Sequence, residues 1–173
     1  MDKRNNRAVL LVNLGSPSGA DVSSVRRYLN QFLMDPYVIQ LPWILSRLIV
    51  GLFVLPFRPK ASARAYQSIW TSEGSPLIVL SMKLLAALKA TNSVPLGMAM
   101  RYGTPSIESQ VLELSRLPNI DEILLVPLYP HYAESTIATT IAETERVLKK
   151  HALSIKLKTL KPFYDRPEYI EAL

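Results

Sequence analysis

The stretch that decides the fold is residues 123–160, ILLVPLYPHYAESTIATTIAETERVLKKHALSIKLKTL. It begins with one apolar run, Ile123–Leu128, and ends with another, Ile155–Leu160. Between them a helix is predicted from residue 135 or 136, where a Ser or Thr can cap the first turn, to about residue 151. Two apolar strands joined by a helix predict parallel strands of one sheet with a right-handed crossover.

The same alternation of strand and helix extends toward the N-terminus. Further strands are predicted at Ala8–Leu14 and Val94–Met100, and the first of them is almost continuously apolar, as a parallel strand buried on both faces should be. The pattern predicts an α/β fold, a doubly wound, mostly parallel four-stranded sheet with helices on both faces. Further helices are predicted over about residues 21–33, 59–70, 76–89 and 105–117, and from residue 166 onward.

The segment from Val38 to Phe57 is unusually apolar. Thirteen residues separate Pro42 from Pro56, and Arg47 lies among them. A membrane-spanning helix needs about 20 apolar residues in succession, so this segment is too short to span. Either a short helix buried in the core or a helix at a membrane surface is predicted, and apolar residues nearly all round the helix favour burial on at least two sides.

Charge and cysteine content exclude several classes of protein. The formal net charge is +6, but the basic residues form only short pairs such as Arg26-Arg27 and Lys149-Lys150. Nucleic-acid-binding surfaces carry a denser basic stripe with aromatic platforms, so nucleic acid is not a predicted partner. The 173 residues contain no cysteine, which excludes within them a disulfide framework, a cysteine-based zinc site and cysteine ligation of an iron–sulfur cluster.

Ligands of parallel sheets bind outside the carboxyl ends of the strands. Of the four loops predicted there, three carry a tyrosine and one also carries Arg101. A crevice of aromatic and aliphatic side chains with one guanidinium suits a flat apolar ligand that bears carboxylates. His131 follows the third strand but has no partner at a metal-ligand spacing, which makes it a weak candidate metal ligand. The residues alone therefore indicate an α/β ligand-binding domain and no particular reaction.

Five segments, taken in order, resemble the ferrochelatase family. Residues 11–17, LVNLGSP, resemble the family's opening LLxNLGTP, and residues 25–35, VRRYLNQFLMD, resemble its first helix. Residues 66–77, YQSIWTSEGSPL, resemble YxxIWxxxGSPL. Residues 100–107 match MRYGxPSI, and residues 127–136 are similar to PLYPQYSxST. The resemblance covers nearly the whole chain.

The resemblance implies an enzyme that inserts ferrous iron into protoporphyrin IX to form protohaem, in the last step of haem biosynthesis. Ferrous iron is a substrate of this lyase reaction, and no permanently bound cofactor is implied. The implied fold is chelatase-like with a flavodoxin-like strand order, and the chain is the first of two similar domains. Residues 1–160 are then the N-terminal domain with an apolar lip inserted at residues 36–60, and residues 161–173 begin the connection to a C-terminal domain.

Site residues carry over from the family position by position. Six residues are implied to line the porphyrin cleft or to hold the porphyrin carboxylates: Leu14, Arg58, Ser75, Arg101, Tyr102 and Tyr129. The segment Trp43–Phe57 is implied to form the lip of the cleft and to meet a membrane. The implied location is the cytoplasm, with peripheral contact at the inner face of the membrane.

Two positions depart from the family pattern, and one motif does not occur in the chain. His131 stands where the family usually has Gln, and Glu134 stands where cluster-bearing members have Cys, so no iron–sulfur cluster is expected. The catalytic histidine of the family lies in S-x-H-G/S-x-P, with a partner glutamate further on. Neither occurs in these 173 residues. The catalytic pair is therefore expected downstream of Leu173, and the isolated chain is expected to be inactive.

Two other functions remain open. One is a cobalt or sirohydrochlorin chelatase of similar fold, against which the MRYG and GSPL segments favour ferrochelatase. The other is a non-catalytic module that binds a tetrapyrrole or a membrane.

Overall fold

A four-stranded sheet forms the centre of the computed structural model, which describes residues 6–173. The strands lie in the spatial order β2-β1-β3-β4, and all three pairings are parallel. Their bounds are β1 (Arg7–Gly15), β2 (Leu96–Tyr102), β3 (Glu122–Pro127) and β4 (Lys156–Thr159). This order confirms the predicted doubly wound α/β fold with its flavodoxin-like arrangement.

Helices connect the strands and continue past the last one. Their bounds are α1 (Val22–Leu33), α2 (Trp43–Ile49), α3 (Arg58–Ile69), α4 (Pro76–Thr91), α5 (Ile107–Ser115), α6 (Thr139–Lys150) and α7 (Pro167–Glu171). A π-helical segment, Val50–Val54, extends α2, and a second one, Glu134–Ala138, leads into α6. Asp21 caps α1 by accepting hydrogen bonds from two backbone N–H groups of its first turn, as predicted for that position.

The two faces of the sheet are covered by different helices. On one face, Leu10 and Val12 of β1 pack in a cluster with residues of α5 and α6. On the other face, Leu11 packs with Met98, Met100 and a residue of α4. Successive side chains of a strand point to opposite faces, so a single apolar strand contributes to both clusters. The carboxyl ends of the strands consequently share one edge of the sheet, between the two helical layers.

β2 begins and ends two residues later than the predicted Val94–Met100. Arg101 and Tyr102 therefore belong to the strand and not to the loop that follows, and Tyr102 pairs with Gly15 of β1. An apolar pattern marks a strand only where the side chains are apolar. The polar groups at this strand end are buried because Asp35, from the chain after α1, provides their partner.

The apolar segment Trp43–Phe57, which we call the lip, does not enter the core. Within α2 and its π-helical extension only Ser46 and Val50 are buried, whereas Trp43, Phe53 and Phe57 are 68%, 68% and 72% exposed. The prediction of burial on at least two sides was therefore wrong for this chain, because the lip rests on the domain along one narrow stripe. Nowhere in residues 6–173 is a helix both long and apolar enough to cross a membrane.

Candidate ligand site at the carboxyl edge of the sheet

A buried carboxylate organises the carboxyl end of β2. The side chain of Asp35 is 2% exposed, and its Oδ2 accepts three hydrogen bonds. The donors are Arg101 Nη2 at 2.5 Å, Tyr102 OH at 2.7 Å and Thr139 Oγ1 at 2.5 Å. Its Oδ1 accepts from the backbone N–H of Tyr37 at 2.8 Å. Both oxygens are satisfied, which is the condition for keeping a carboxylate charged in the interior.

Arg101 is held by this carboxylate without being fully occupied by it. Its Nη2 donates to Asp35, and its Nε donates to Thr139 Oγ1 at 2.8 Å. Its Cζ lies 4.6 Å from the centre of the Tyr102 ring, a cation–π distance. A guanidinium has five N–H donors, so about three remain for a ligand. Because the side chain is 13% exposed, these donors lie in a fixed plane near the surface.

Tyr102 contacts the other two residues of the site, Asp35 and Arg101. Its side chain is fully buried, and burial followed by the hydrogen bond to Asp35 raises the pKa of its phenol. In this arrangement the ring has no exposed surface to offer a ligand. The structure thus brings Tyr102 to the site through Asp35 and Arg101, and its role as a direct porphyrin contact stays a prediction.

Tyr129 lies in the loop after β3 and carries an unpartnered polar group. Among residues 6–173 its buried hydroxyl has no hydrogen-bond partner. Burial raises the pKa of this phenol to about 12, and the nearby Thr140 hydroxyl, followed by the Arg101 charge, opposes that shift. A buried hydroxyl without a partner is unfavourable, and a ligand oxygen that completes its hydrogen bond would remove the penalty.

Leu14 lies near the end of β1 and is half-buried. The residue after it, Gly15, adopts φ 101°, and a Cβ built there would lie 1.8 Å from the carbonyl oxygen of Tyr102. The backbones of β1 and β2 therefore approach closely at this point, as only glycine permits. This contact places Leu14 beside the strand end that carries Arg101.

Ser75 and Arg58 lie outside the Asp35 cluster. Ser75 is buried immediately before α4 and lines a cavity of about 230 Å³ together with Trp70, Ile78 and Thr104. Arg58 is the first residue of α3 and is exposed. Of the six predicted site residues, the structure brings Arg101, Tyr102 and Tyr129 together, with Leu14 on the neighbouring strand end.

His131 and Glu134 form contacts unrelated to a metal centre. The exposed ring of His131 stacks on Tyr164, with centroids 5.0 Å apart and planes 13° from parallel, and the Glu134 carboxylate accepts from the Gln40 amide. Within residues 6–173 no group of three or more His, Cys, Asp or Glu side chains could hold a metal ion. The weak assignment of His131 as a metal ligand gains no second ligand from this arrangement.

Sequence reasoning missed Asp35 and Thr139. In the sequence Asp35 is only the last residue of the segment that resembles the family's first helix, and Thr139 is only one residue of a predicted helix. The available signal was an acidic residue directly after an amphipathic helix, in a chain whose strand ends carry arginine and tyrosine. Partners 66 and 104 residues away are beyond any local pattern.

Comparisons with known proteins show the family to which this chain belongs. A family model described as Ferrochelatase matches residues 6–173. A curated protein named ferrochelatase from Stutzerimonas stutzeri (strain A1501) is 54% identical over 168 residues, which cover 96% of this chain and 49% of that protein. Another, from Ectopseudomonas mendocina (strain ymp), is 53% identical over 169 residues and covers 97% and 49%. The chain thus spans about half the length of the curated relatives it matches.

Proposed function

The chain belongs to the ferrochelatase family, and we propose that it forms one wall of the porphyrin cleft of an enzyme that inserts ferrous iron into protoporphyrin IX to give protohaem. The observation that carries this proposal is the family match over residues 6–173. The reaction forms nitrogen–metal bonds and belongs to haem biosynthesis. In this proposal residues 1–160 are the first of two similar domains, and residues 161–173 begin the connection to the second.

The geometry of the sheet edge supports porphyrin binding. A porphyrin is a flat apolar ring with two propionate carboxylates, and Arg101 holds about three free N–H donors in a fixed plane. Half-buried Leu14 supplies an apolar contact beside it. We assign Arg101 to a porphyrin carboxylate, Leu14 to the ring face and the Tyr129 hydroxyl to a polar atom of the bound substrate. We assign Ser75 and Arg58 to further parts of the same wall.

Metal insertion requires more than this wall provides. Two pyrrole protons leave the porphyrin as the metal enters, so a base must accept them, and bending the ring exposes the nitrogen lone pairs. The 173 residues contain no S-x-H-G/S-x-P segment. We therefore assign this chain to shaping the cleft and anchoring the porphyrin, and the proton-accepting histidine and its glutamate to sequence outside these residues.

The lip supplies a second element of the proposal. Seven of its large apolar residues are at least two-fifths exposed: Trp43, Ile44, Leu45, Leu48, Leu52, Phe53 and Phe57. A concentration of exposed apolar side chains in one segment is typical of an interaction site. We propose that the lip contacts a membrane surface peripherally, on the cytoplasmic side. Porphyrin and haem are poorly soluble, so a cleft that opens there would shorten their path.

The assay follows directly from the chemistry. The full-length protein should incorporate ferrous or zinc ion into protoporphyrin, as measured by the change in porphyrin fluorescence. The isolated 173-residue chain should show only the non-enzymatic rate, because it lacks the base. Turnover by the isolated chain would contradict the division of labour proposed here, and no turnover by the full-length protein would contradict the function itself. Preference for a cobalt or sirohydrochlorin substrate would favour the related chelatases.

A further inference from the structure

A small polar pocket lies beside the candidate site, between the loop after β1 and the first turns of α1. Its volume is about 150 Å³. A space of this size has room for a few water molecules or one small anion, and it is too small for a porphyrin ring. The residues that bring polar groups to its wall are Ser16, Ser18, Ser24, Arg27, Tyr28, Gln31 and Thr104. Of these, Tyr28 already donates its hydroxyl to the carbonyl oxygen of Gly15 at 3.3 Å.

Arg27 brings a positive charge to this pocket. Its Nη2 donates to Ser24 Oγ at 3.0 Å, and its Nη1 approaches Ser23 Oγ at 3.4 Å. Both of these partners are neutral hydroxyls, so they do not balance the charge of the guanidinium. Arginine is the side chain best suited to planar recognition of oxyanions.

Ser16 adds an unpartnered donor. The residue is 6% exposed, and within residues 6–173 its hydroxyl has no hydrogen-bond partner. Buried polar groups in native proteins are nearly always paired, so an orphan hydroxyl in a pocket wall indicates an absent partner. Gln31 contributes as well, since its Oε1 accepts from the backbone N–H of Gly103 at 3.0 Å and its NH₂ group is left to donate.

An acidic residue close to the pocket, Asp21, already accepts hydrogen bonds from its own helix. Asp21 caps α1, and its Oδ1 accepts from the backbone N–H groups of Ser23 and Ser24, both at 2.9 Å, and from Ser23 Oγ at 2.7 Å. Hydrogen bonding by the Ser24 hydroxyl first, then by the Ser23 hydroxyl and the Ser24 backbone N–H, holds the pKa of the carboxyl well below its usual range, so the group is charged at neutral pH. Asp21 does not line the pocket, but its charge weakens the attraction that an anion would feel there.

We propose that this pocket binds a small tetrahedral oxyanion of the phosphate type. Five hydroxyl-bearing residues and one guanidinium line a space of that size, and donors on several sides match four anion oxygens better than the two of a carboxylate. The pocket adjoins the proposed porphyrin wall, because Ser16 and Thr104 also line the cavity of Ser75. The inference does not depend on the proposed function.

The test uses the full-length protein, inorganic phosphate as the probe, and constant ionic strength. Saturable broadening of the phosphorus-31 NMR signal is expected, and Arg27→Gln should raise the Kd at least about tenfold, because it removes charge-assisted hydrogen bonds. Arg26→Gln is the matched control, since Arg26 is the exposed neighbour on α1 and does not line the pocket. Its Kd should stay within about twofold of the wild type.

Two further variants and a competition experiment with acetate test the assignment. Asp21→Asn keeps a capping side chain but removes the opposing charge, so phosphate should bind at least as tightly. Ser16→Ala should weaken phosphate binding, and acetate should displace phosphate only at much higher concentration. The absence of saturable binding, an equal loss in Arg26→Gln and Arg27→Gln, or equal competition by acetate would each overturn the assignment.

Discussion

Asp35 and Arg101 lie 66 residues apart in the sequence, yet Oδ2 of one is 2.5 Å from Nη2 of the other. The pair joins the chain after α1 to the end of β2. The orientation of the free Arg101 donors therefore depends on a residue outside the sheet. Asp35 is a positioning residue for the candidate site, whereas we assign Arg101 to contact with the ligand.

Asp35→Asn should destabilise the fold strongly. The substitution leaves the Arg101 guanidinium, 13% exposed, without its counter-charge. Removing one partner of a buried ion pair costs about 3–5 kcal/mol. Urea unfolding followed by circular dichroism measures the free energy of unfolding. Glu143→Gln, which breaks the surface pair with Arg146, is the control and should change it far less. Equal effects of the two substitutions would show that the Asp35 cluster is not a buried ion pair in solution.

Arg101→Ala should weaken porphyrin binding more than it slows the chemistry. Loss of a charge-assisted hydrogen bond to a carboxylate costs about 1.5–3 kcal/mol, which corresponds to roughly a tenfold or greater rise in the porphyrin KM. The kcat at saturating porphyrin should change much less, because Arg101 is assigned to anchoring. Steady-state kinetics of the full-length enzyme measure both constants. An unchanged KM would remove Arg101 from the porphyrin site.

Tyr129→Phe should change the pH dependence of stability. Burial raises the pKa of the Tyr129 phenol to about 12, above the value near 10 expected in the unfolded chain. The contribution of the neutral phenol to the free energy of unfolding is therefore fully present below pH 10. It is lost as the pH rises from about 10 to 12, because the unfolded chain loses the phenol proton first. Phenylalanine does not titrate, so the variant should gain stability relative to the wild type over that range.

The corresponding measurement is urea unfolding at pH 8 and pH 11. Tyr132→Phe serves as the control, because Tyr132 is 61% exposed. The difference between Tyr129→Phe and the wild type should be larger at pH 11, whereas Tyr132→Phe should show little change. If the free energy of unfolding differs between Tyr129→Phe and the wild type by the same amount at pH 8 and pH 11, the pKa of the Tyr129 phenol is not raised by folding.

The lip should bind membranes without supporting the fold. Trp43, Leu48 and Phe53 are 68%, 51% and 68% exposed, so their combined replacement by Ser should leave the unfolding midpoint nearly unchanged. Co-sedimentation of the full-length protein with lipid vesicles should fall markedly. Replacing three exposed lysines elsewhere, Lys83, Lys89 and Lys149, by Gln tests whether charge alone causes binding. Unfolding of the serine variant would favour a core role, and extraction from membranes only by detergent would indicate a spanning segment.

Apolar patterns in the sequence predict most of the fold. The run Ala8–Leu14 and the β-α-β unit of residues 123–160 have strong local signals. The structure confirms these three strands and the helix between the last two of them. The burial of the lip was harder to predict, because an apolar helix in the core and one that faces outward have similar composition. Only tertiary placement distinguishes them, and the expectation of two-sided burial was wrong.

The site was less accessible to sequence reasoning than the fold. The family motifs indicated Arg101 and Tyr129, which the structure places at one edge of the sheet. They did not indicate that Tyr102 would be fully buried, because its partner Asp35 follows a helix 67 residues earlier. Hydrogen bonds between distant segments set the direction of side chains, and no local periodicity encodes that direction.

The close approach of Gly15 to Tyr102 limits how this protein can vary. A side chain at residue 15 would meet the carbonyl oxygen of the neighbouring strand at 1.8 Å and would also need an unfavourable φ. No rearrangement of flexible groups relieves a collision with backbone, so β1 and β2 would have to separate. A library randomised at this codon should return glycine alone among functional clones, whereas codon 14, whose side chain is half-buried, should accept several apolar residues. New substrate preferences should therefore arise by exchange of side chains along the strand ends, while the spacing of the strands stays constant.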